Sequence, residues 1–263
     1  MTIPFYKFDG AGNDFVIIDA RQQSYSLNDK QISHICHRHF GVGADGLMLL
    51  KQSDSQDYGF CMSYFNADGS PADMCGNGGR CIAALAFILG LSDENRNLDF
   101  IASDGPHHAH ILMWDEAASV GIVQLGMRDV SSIDVHRVLD GWFLNTGVPH
   151  YVQRVQDLQH FDVVGVGRSL RYHPELGLEG ANVDFIEDLP DGRLFVRTYE
   201  RGVEDETWAC GTGVTAAAIV SGNGNILTRG GDFKVSFSPT GSAYTNLLLT
   251  GPVALNFTGI ITI

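Results

Sequence analysis

One short pattern occurs twice in this chain, 135 residues apart. The sequence reads Cys-Gly-Asn-Gly at 75–78, before the apolar run 81–89, and Cys-Gly-Thr-Gly at 210–213, before the apolar run 214–220. Each run is apolar on all sides, which is typical of a buried helix and not of an amphipathic surface helix. The repeat therefore predicts a duplicated framework with one central helix in each half.

The cysteine of each pattern stands just ahead of its predicted helix. The glycines keep side chains away from the helix entrance, so the first backbone N–H groups and the positive end of the helix dipole are open to an anion. A thiolate in this setting is stabilised, which predicts a lowered thiol pKa. A single such pattern is also consistent with packing alone, since cysteine is often buried. Its repetition favours duplicated chemistry.

Composition limits the classes of function. At 263 residues the chain has room for two domains of about 130 residues. The net charge of −14 argues against a nucleic-acid partner, which would require clustered Lys and Arg. The four lysines lie in no context that suits pyridoxal phosphate. No run has the ~20 apolar residues of a membrane helix, and the first residues lack the features of a signal peptide, so we expect a cytoplasmic protein.

The five cysteines form no CxxC pair, so we expect reduced thiols. Histidines crowd the segments 34–39 and 107–110, but neither segment has the ligand spacing of a structural zinc site. We therefore expect no metal and no cofactor.

Strand-like runs dominate the rest of the chain, and helices are predicted at 29–37, 82–89, 157–170 and 214–221. The predicted class is α+β, with two pseudo-symmetric domains, each a mixed, barrel-like β-sheet wrapped around a central apolar helix. The predicted domains are 1–118, completed by a C-terminal strand at 253–263, and 119–252.

Five segments in order resemble the diaminopimelate epimerase family. They are Phe-Asp-Gly-Ala-Gly-Asn-Asp-Phe at 8–15, the run 38–47, the long run 64–80 around Cys75, Gly-Ala-Asn-Val-Asp-Phe at 180–185, and the run from Tyr-Glu-Arg-Gly at 199–202 to Cys-Gly-Thr-Gly. The resemblance implies a cofactor-independent isomerase, a homodimer, that converts LL-2,6-diaminopimelate into meso-2,6-diaminopimelate for lysine and peptidoglycan biosynthesis. Inversion at a carbon needs two groups of matched acidity on its opposite faces. By resemblance, Cys75 is the proton donor and Cys210 the acceptor in one direction, with the roles reversed in the other.

The resemblance also implies a set of binding residues. Backbone amides at the two helix starts would hold the reacting carboxylate and stabilise the charge that grows on it. Asparagines and Arg201 would bind the distal amino-acid group, and His150 and Glu200 would orient substrate or tune the thiol pKa values. The substrate-binding set is Asn13, Asn66, Gly76, Asn77, Asn182, Glu200, Arg201, Gly211 and Thr212.

The chain departs from the family pattern at Val148, where many members have asparagine, at Gly46, where some have glutamine, and at 202–209, which is one residue longer than the commonest form. Two alternatives remain open. One is a proline or hydroxyproline racemase, which would leave Arg201 without a distal carboxylate to bind. The other is a redox or binding module in which Cys75 and Cys210 form a switchable disulfide.

Overall fold

The computed structural model describes residues 1–72 and 74–263, which divide into two compact units. Unit 1 comprises Met1–Leu125 and Pro252–Ile263, and unit 2 comprises Gly126–Gly251. Unit 1 contains β1 (Thr2–Gly10), β2 (Asn13–Asp19), α1 (Asp29–Cys36), β3 (Gly46–Lys51), β4 (Phe60–Asn66), β5 (Pro71–Ala72), α2 (Gly76–Ile88), β6 (Asn97–Ala102), β7 (Gly105–Asp115) and β8 (Val120–Gly126). Unit 2 contains β9 (Val130–Ser131), β10 (His136–Val138), β11 (Gly141–Asn145), β12 (Pro149–Arg154), α3 (Val163–Arg171), β13 (Asn182–Asp188), β14 (Leu194–Glu200), β15 (Asp205–Thr207), α4 (Gly211–Ser221), β16 (Asn225–Thr228) and β17 (Gly231–Pro239). The last strand, β18 (Ala243–Thr262), begins in unit 2 and ends in unit 1. The predicted division of the chain into two epimerase domains remains a proposal.

Unit 1 is a barrel-like mixed sheet. The end of β18 pairs with β1, and the order then runs through β2, β3, β4, β6, β7 and β8. The pairs β2–β3 and β4–β6 are parallel, and the others are antiparallel. Leu255 N donates to Ser119 O, which joins the end of β18 to the segment before β8 and closes the ring.

Helix α2 fills the barrel of unit 1. It packs against β1, β2, β3, β6 and β7, and its residues from Gly76 to Ala86 are all buried. This burial explains the absence of a polar face in the sequence. Across the described residues, 1–72 and 74–263, no helix is both long and apolar enough to cross a membrane.

Unit 2 repeats the arrangement. Its strands run in the order β10, β11, β12, β13, β14, β16, β17 and β18, with the parallel pairs β12–β13 and β14–β16. Helix α4 packs against β11, β12, β13, β14, β16 and β17. The predicted α+β class, with a barrel-like sheet around one apolar helix in each half, is confirmed.

The two central helices begin earlier than predicted. Helix α2 starts at Gly76 and not at residue 82, and α4 starts at Gly211 and not at residue 214. Glycine is a poor helix former, so propensity alone placed the starts too late. Burial of each first turn against the surrounding sheet outweighs that cost.

The outer helices α1 and α3 each cover one face of a sheet. Helix α1 contributes Ile32 and Ile35 to a core with β1, β2 and β3. Helix α3 was predicted over 157–170 but begins only at Val163, because Asp162 is its N-cap and accepts a hydrogen bond from Gly165 N.

An ion-pair cluster fixes the start of β2. Asp14 accepts hydrogen bonds from the ammonium of Lys7 and from both terminal nitrogens of Arg38, at 3.0 and 2.8 Å for the latter. Lys7 is buried in the sheet. Burial alone would raise the pKa of Asp14, but the hydrogen bonds and positive charges of Arg38 and Lys7 outweigh it and lower the pKa to about 2.

Asp14→Asn is therefore expected to cost stability in a pH-dependent way. The folded pKa lies below the ordinary value of 3.8, so the stabilisation is complete above about pH 4 and is lost as pH falls towards 2. We expect a loss of about 1–2 kcal/mol at pH 6, limited by the partial exposure of the pair. Denaturant unfolding of both proteins from pH 6 to pH 2 measures this difference. A difference that stays constant or grows as pH falls would contradict it.

Candidate active site

Cys75 is the N-cap residue of α2. Its backbone is extended, with φ −101° and ψ 132°, and its carbonyl accepts the first intrahelical hydrogen bond, from Gly79 N at 2.7 Å. The half-buried thiol donates to Asn13 Oδ1 at 3.7 Å, and Asn77 Nδ2 donates to the same oxygen at 3.3 Å. The Cys75 side chain itself makes no capping hydrogen bond to the helix start.

A buried guanidinium lies in the next turn of α2, and the sequence analysis did not select it. Arg80 donates to Gly76 O at 3.1 Å and to Asn77 Oδ1 at 3.0 Å. Burial lowers the pKa of Arg80 to about 10, although negative charge on Cys81 and Cys75 acts to raise it. Arg80 is therefore a cation at neutral pH, and its charge favours a thiolate at Cys75. In the sequence, Arg80 could have been noticed as the one charged residue of the run 76–88.

Cys210 is the N-cap residue of α4 in the same way. Its φ is −111° and its ψ is 115°, and its carbonyl accepts from Val214 N at 2.9 Å. Its side chain is more enclosed than that of Cys75, with 6% of the residue exposed. Its Sγ lies 3.4 Å from Thr212 Oγ1.

The expected lowering of the thiol pKa does not hold for Cys210. Burial raises the pKa of Cys210 well above its ordinary value, and the negative charges of Glu200 and Asp184 raise it further. The hydrogen bond between Cys210 and Thr212 and the one from Gly213 N–H act to lower the pKa of Cys210, but they do not outweigh burial and the two carboxylates. The motif correctly predicted that Cys210 stands at a helix start. It did not reveal that the thiol is buried or that two carboxylates act on it. In the unliganded protein Cys210 is a protonated thiol.

Alkylation of Cys210 should therefore be slow in the folded protein. In a Cys75→Ala background at pH 7.5, iodoacetamide should modify Cys210 at least about tenfold more slowly than in the denatured chain, since each pKa unit reduces the thiolate fraction about tenfold. Peptide mass spectrometry separates Cys210 from the other cysteines, and the denatured chain is the control. Equal rates in the folded and denatured protein would show that the thiol is not suppressed.

One edge of the unit 1 sheet carries the other predicted residues of that half. Asn13 begins β2, Gly46 begins β3, and Asn66 ends β4 opposite Gly46. Asn13 also donates to Asp45 Oδ2 at 2.7 Å, so its amide is held between Asp45 and the start of α2. Asn66 is exposed and donates to Ser70 Oγ at 3.1 Å.

The equivalent edge of unit 2 carries the second group. His150 pairs with Asn182 across the parallel strands β12 and β13, and Glu200 ends β14. Asn182 is buried, and its Oδ1 accepts a hydrogen bond from Arg201 N at 2.6 Å. The guanidinium of Arg201 reaches Glu179 at 3.3 Å, and the Glu179 side chain is 87% exposed. Arg201 is thus anchored by its backbone, while its charged end is paired with a solvated carboxylate.

His150 is the centre of a buried hydrogen-bond network. Its Nδ1 lies 2.6 Å from Asp184 Oδ2, and its Nε2 lies 2.9 Å from Thr212 Oγ1. Thr198 Oγ1 donates to the other carboxylate oxygen of Asp184 at 2.7 Å. The side chains of His150 and Asp184 are fully buried. The sequence analysis selected His150 and missed Asp184, whose signal was one carboxylate within the otherwise uncharged run 180–186.

The structure accounts for Gly46, one of the departures from the family pattern. A side chain at this position would begin 2.5 Å from the ring of Tyr64 and 2.7 Å from Phe65 O. Tyr64 packs edge-on against Phe15 and fills the space in which a longer residue at 46 would lie. Within the described ranges 1–72 and 74–263, no three His, Cys, Asp or Glu residues form a group that would hold a metal ion.

Comparison with known proteins assigns the family. The sequence pattern of the family Diaminopimelate epimerase matches residues 5–124 and 142–255. The chain belongs to the diaminopimelate epimerase family. The Diaminopimelate epimerase of Flavobacterium psychrophilum is 43% identical over 96% of this chain and 97% of its own length. That of Aquifex aeolicus is 37% identical over 97% of this chain and 96% of its own length.

The fold extends beyond this epimerase family. A crystal structure of a probable proline racemase from Agrobacterium radiobacter superposes with a TM-score of 0.70 at 14% identity, covering 99% of this chain and 92% of the other. At that identity the likeness shows a shared fold. Membership in the family makes this chain an isomerase, an epimerase of amino-acid biosynthesis.

Proposed function

We propose that this epimerase converts LL-2,6-diaminopimelate into meso-2,6-diaminopimelate without a cofactor, using Cys75 and Cys210 as the acid and base on opposite faces of one α-carbon. The observation that carries the proposal is the repeated position of the two thiols. Each is the N-cap residue of a buried central helix, and neither thiol makes a capping hydrogen bond to its own helix. Membership in the family supports the substrate.

In this proposal, backbone N–H groups at the two helix starts bind the reacting carboxylate. Removal of the α-proton places negative charge on the adjacent carboxylate, and fixed N–H dipoles stabilise that charge without reorganisation. The amides of Gly76 and Asn77 and those of Gly211 and Thr212 supply such donors. Because these groups act as the electron sink, the proposal requires no pyridoxal phosphate or metal.

The distal amino-acid group is assigned to the polar edge residues. Arg201 would exchange its solvated contact with Glu179 for the distal carboxylate of the substrate, which offers a charge-assisted hydrogen bond. Asn182 keeps the Arg201 backbone in place. Asn13 and Asn66 would supply further amide donors and acceptors.

The two thiols are not equivalent in the unliganded protein. Arg80 provides a buried positive charge in the second turn of α2, behind Cys75, whereas Cys210 is enclosed and the negative charges of Glu200 and Asp184 act on it. Cys75 is therefore the thiol set up to accept the α-proton, and Cys210 the thiol set up to donate one. In the opposite direction the roles exchange.

A proline or hydroxyproline racemase is the main alternative among enzymes, and the shared fold is compatible with it. Proline has no second carboxylate, so Arg201 would have no ligand. A thiol redox module is the alternative from another class. It would not need a glycine-rich helix start behind each thiol or the polar edge of unit 2.

One experiment separates these functions. The reduced protein is incubated in deuterated water with LL-diaminopimelate or with L-proline, and deuterium at Cα is followed by mass spectrometry. Deuterium entry with diaminopimelate alone is the expected result. Entry with proline alone would assign the racemase, and no entry with either, in protein with titratable thiols, would refute epimerisation.

The proposal also includes an oligomeric state and a cellular compartment. A homodimer in the cytoplasm is expected from the family resemblance and from the sequence. Light scattering after size-exclusion chromatography tests the dimer, and a monomer at micromolar concentration would refute it.

A further inference from the structure

The two units can be compared residue by residue, because their strands pair in the same order. Phe15 pairs with Gly46 across the first parallel pair of unit 1, and His150 pairs with Asn182 across that of unit 2. The equivalent positions in units 1 and 2 are Asn13 and Val148, Phe15 and His150, Gly46 and Asn182, Met48 and Asp184, Tyr64 and Thr198, Gly78 and Gly213, and Arg80 and Thr215.

The glycine contacts confirm this equivalence independently of the strand register. A Cβ on Gly78 would meet Met48 Sδ at 3.2 Å and the Phe15 ring at 3.5 Å. A Cβ on Gly213 would meet Asp184 Oδ1 at 2.3 Å and Thr198 Oγ1 at 3.2 Å. The third glycine of each motif thus faces the same positions of its own sheet.

The chemistry at these positions differs between the units. Unit 1 has the apolar, fully buried Phe15 and Met48 there. Unit 2 has His150 and Asp184, which are equally buried. Burying a carboxylate is costly unless its oxygens are paired, and Asp184 has partners on both. The same positions pack well with apolar residues in unit 1. The ionisable residues at these positions in unit 2 are therefore not required for packing.

The hydrogen bonds define the direction of every donor in this network. A carboxylate only accepts, so the Nδ1 of His150 carries the proton that faces Asp184. The amide of Asn182 is oriented by Arg201 N–H on its Oδ1, so its Nδ2 faces His150 Nε2 at 3.3 Å as a donor. Nε2 is therefore an unprotonated acceptor.

The same reasoning extends the network to the thiol. The single lone pair of Nε2 faces two donors, Asn182 Nδ2 at 3.3 Å and Thr212 Oγ1 at 2.9 Å, and the shorter contact assigns it mainly to the one hydroxyl hydrogen of Thr212. The Thr212 oxygen is then left as the acceptor for the Cys210 S–H at 3.4 Å. All donors point one way, from Cys210 through Thr212 and His150 to Asp184.

We propose that Asp184 is a positioning residue for the epimerase reaction, holding the proton of His150 on Nδ1 so that Nε2 can take the Cys210 proton through the Thr212 hydroxyl. The step prepares Cys210 for the meso-to-LL direction, in which it accepts the α-proton. The S–H bond of Cys210 breaks and its electron pair stays on sulfur. The proton passes to Thr212 Oγ1 as the hydroxyl proton passes to Nε2. The result is a Cys210 thiolate and an imidazolium that faces the Asp184 carboxylate, and the reverse step restores the thiol.

This proposal rests on the proposed function, because it assumes that Cys210 must change its protonation state during turnover. Its first test does not depend on turnover. In protein labelled with ¹⁵N-histidine, the ring nitrogens of His150 are assigned by their loss in His150→Gln. We expect an Nδ1–H tautomer in the wild type and an Nε2–H tautomer in Asp184→Asn, whose amide N–H₂ would face Nδ1. Asp188→Asn, on the same strand but exposed, is the control and should keep the wild-type tautomer.

The second test divides kcat from KM. Asp184→Asn should lower kcat by about 10²-fold or more, the range of a lost acid–base contribution, with KM changed less than about threefold. Asp188→Asn should retain wild-type kcat. A wild-type Nε2–H tautomer, an unchanged tautomer in Asp184→Asn, or an unchanged kcat in that variant would each overturn the proposal.

A second pair of variants decides the question if Asp184→Asn does not fold. Thr212→Ser keeps the hydroxyl and should keep kcat within about fivefold, whereas Thr212→Val removes it and should lose about 10²-fold. Equal kcat in the two would overturn the relay. A wild type with the Nδ1–H tautomer but no deuterium exchange into diaminopimelate would refute the proposed function, and with it the role of Asp184 in epimerisation, while the tautomer itself would still be held by Asp184.

Discussion

Replacing either Cys75 or Cys210 with alanine is expected to abolish turnover, with kcat reduced at least about 10³-fold in each single variant. A two-base inversion needs a proton acceptor on one face of the carbon and a donor on the other, so loss of either group stops the reaction. Groups that act as a unit are not additive, and the double variant should be no worse than either single one.

The control for this result is Cys61→Ala. Cys61 is a partly buried thiol on β4 and belongs to neither Cys-Gly-x-Gly motif, so its removal should leave kcat within about twofold of the wild type. Steady-state conversion of LL-diaminopimelate measures all four variants. Activity above about a tenth of wild type in either Cys75→Ala or Cys210→Ala would contradict the paired roles.

Gly213→Ala is expected to have the largest effect on the packing of unit 2. The new Cβ would lie 2.3 Å from Asp184 Oδ1, a buried atom already held by Thr198, so the carboxylate must move away from His150. We expect a loss of about 1–3 kcal/mol in the free energy of unfolding, in the range of overpacked cores. Because His150 loses its partner, activity should fall as well.

The matched control is Gly78→Ala at the equivalent position of unit 1. Its Cβ would meet the thioether of Met48 at 3.2 Å, and methionine adapts easily. The helix propensity of alanine offsets part of the contact, so the change in unfolding free energy should be below about 1 kcal/mol. Denaturant unfolding of both variants measures the difference. Equal stabilities would show that Asp184 is free to move and that Gly213 is not required for its position.

The repeated motif was enough to predict the architecture. Two apolar runs after Cys-Gly-x-Gly predicted one buried helix in each half, because a helix without a polar face must be surrounded. The exact helix starts could not be predicted from the sequence, because Gly76 and Gly211 are helical only where the sheet encloses them. Tertiary packing overrides propensity at those residues.

The electrostatic properties of the site were harder to predict from the sequence than the fold was. The position of Cys210 at a helix start was visible in the motif, but its pKa depends on burial and on Glu200 and Asp184, which come from other strands. Arg80 and Asp184 each stood as a lone charge in a buried segment. A charge of that kind indicates a local network, but only the register of the strands shows which residues complete it.

The two-thiol mechanism itself is tested most directly by where solvent deuterium appears. LL-diaminopimelate is converted in deuterated water to low extent, and product and recovered substrate are separated and analysed by mass spectrometry. A thiol that removes the α-proton holds it for return to the same face, while the opposite thiol delivers deuterium. The account predicts one deuterium at the inverted carbon of the meso product and almost none in the recovered LL substrate. Equal deuterium in both pools, or meso product without deuterium, would contradict it.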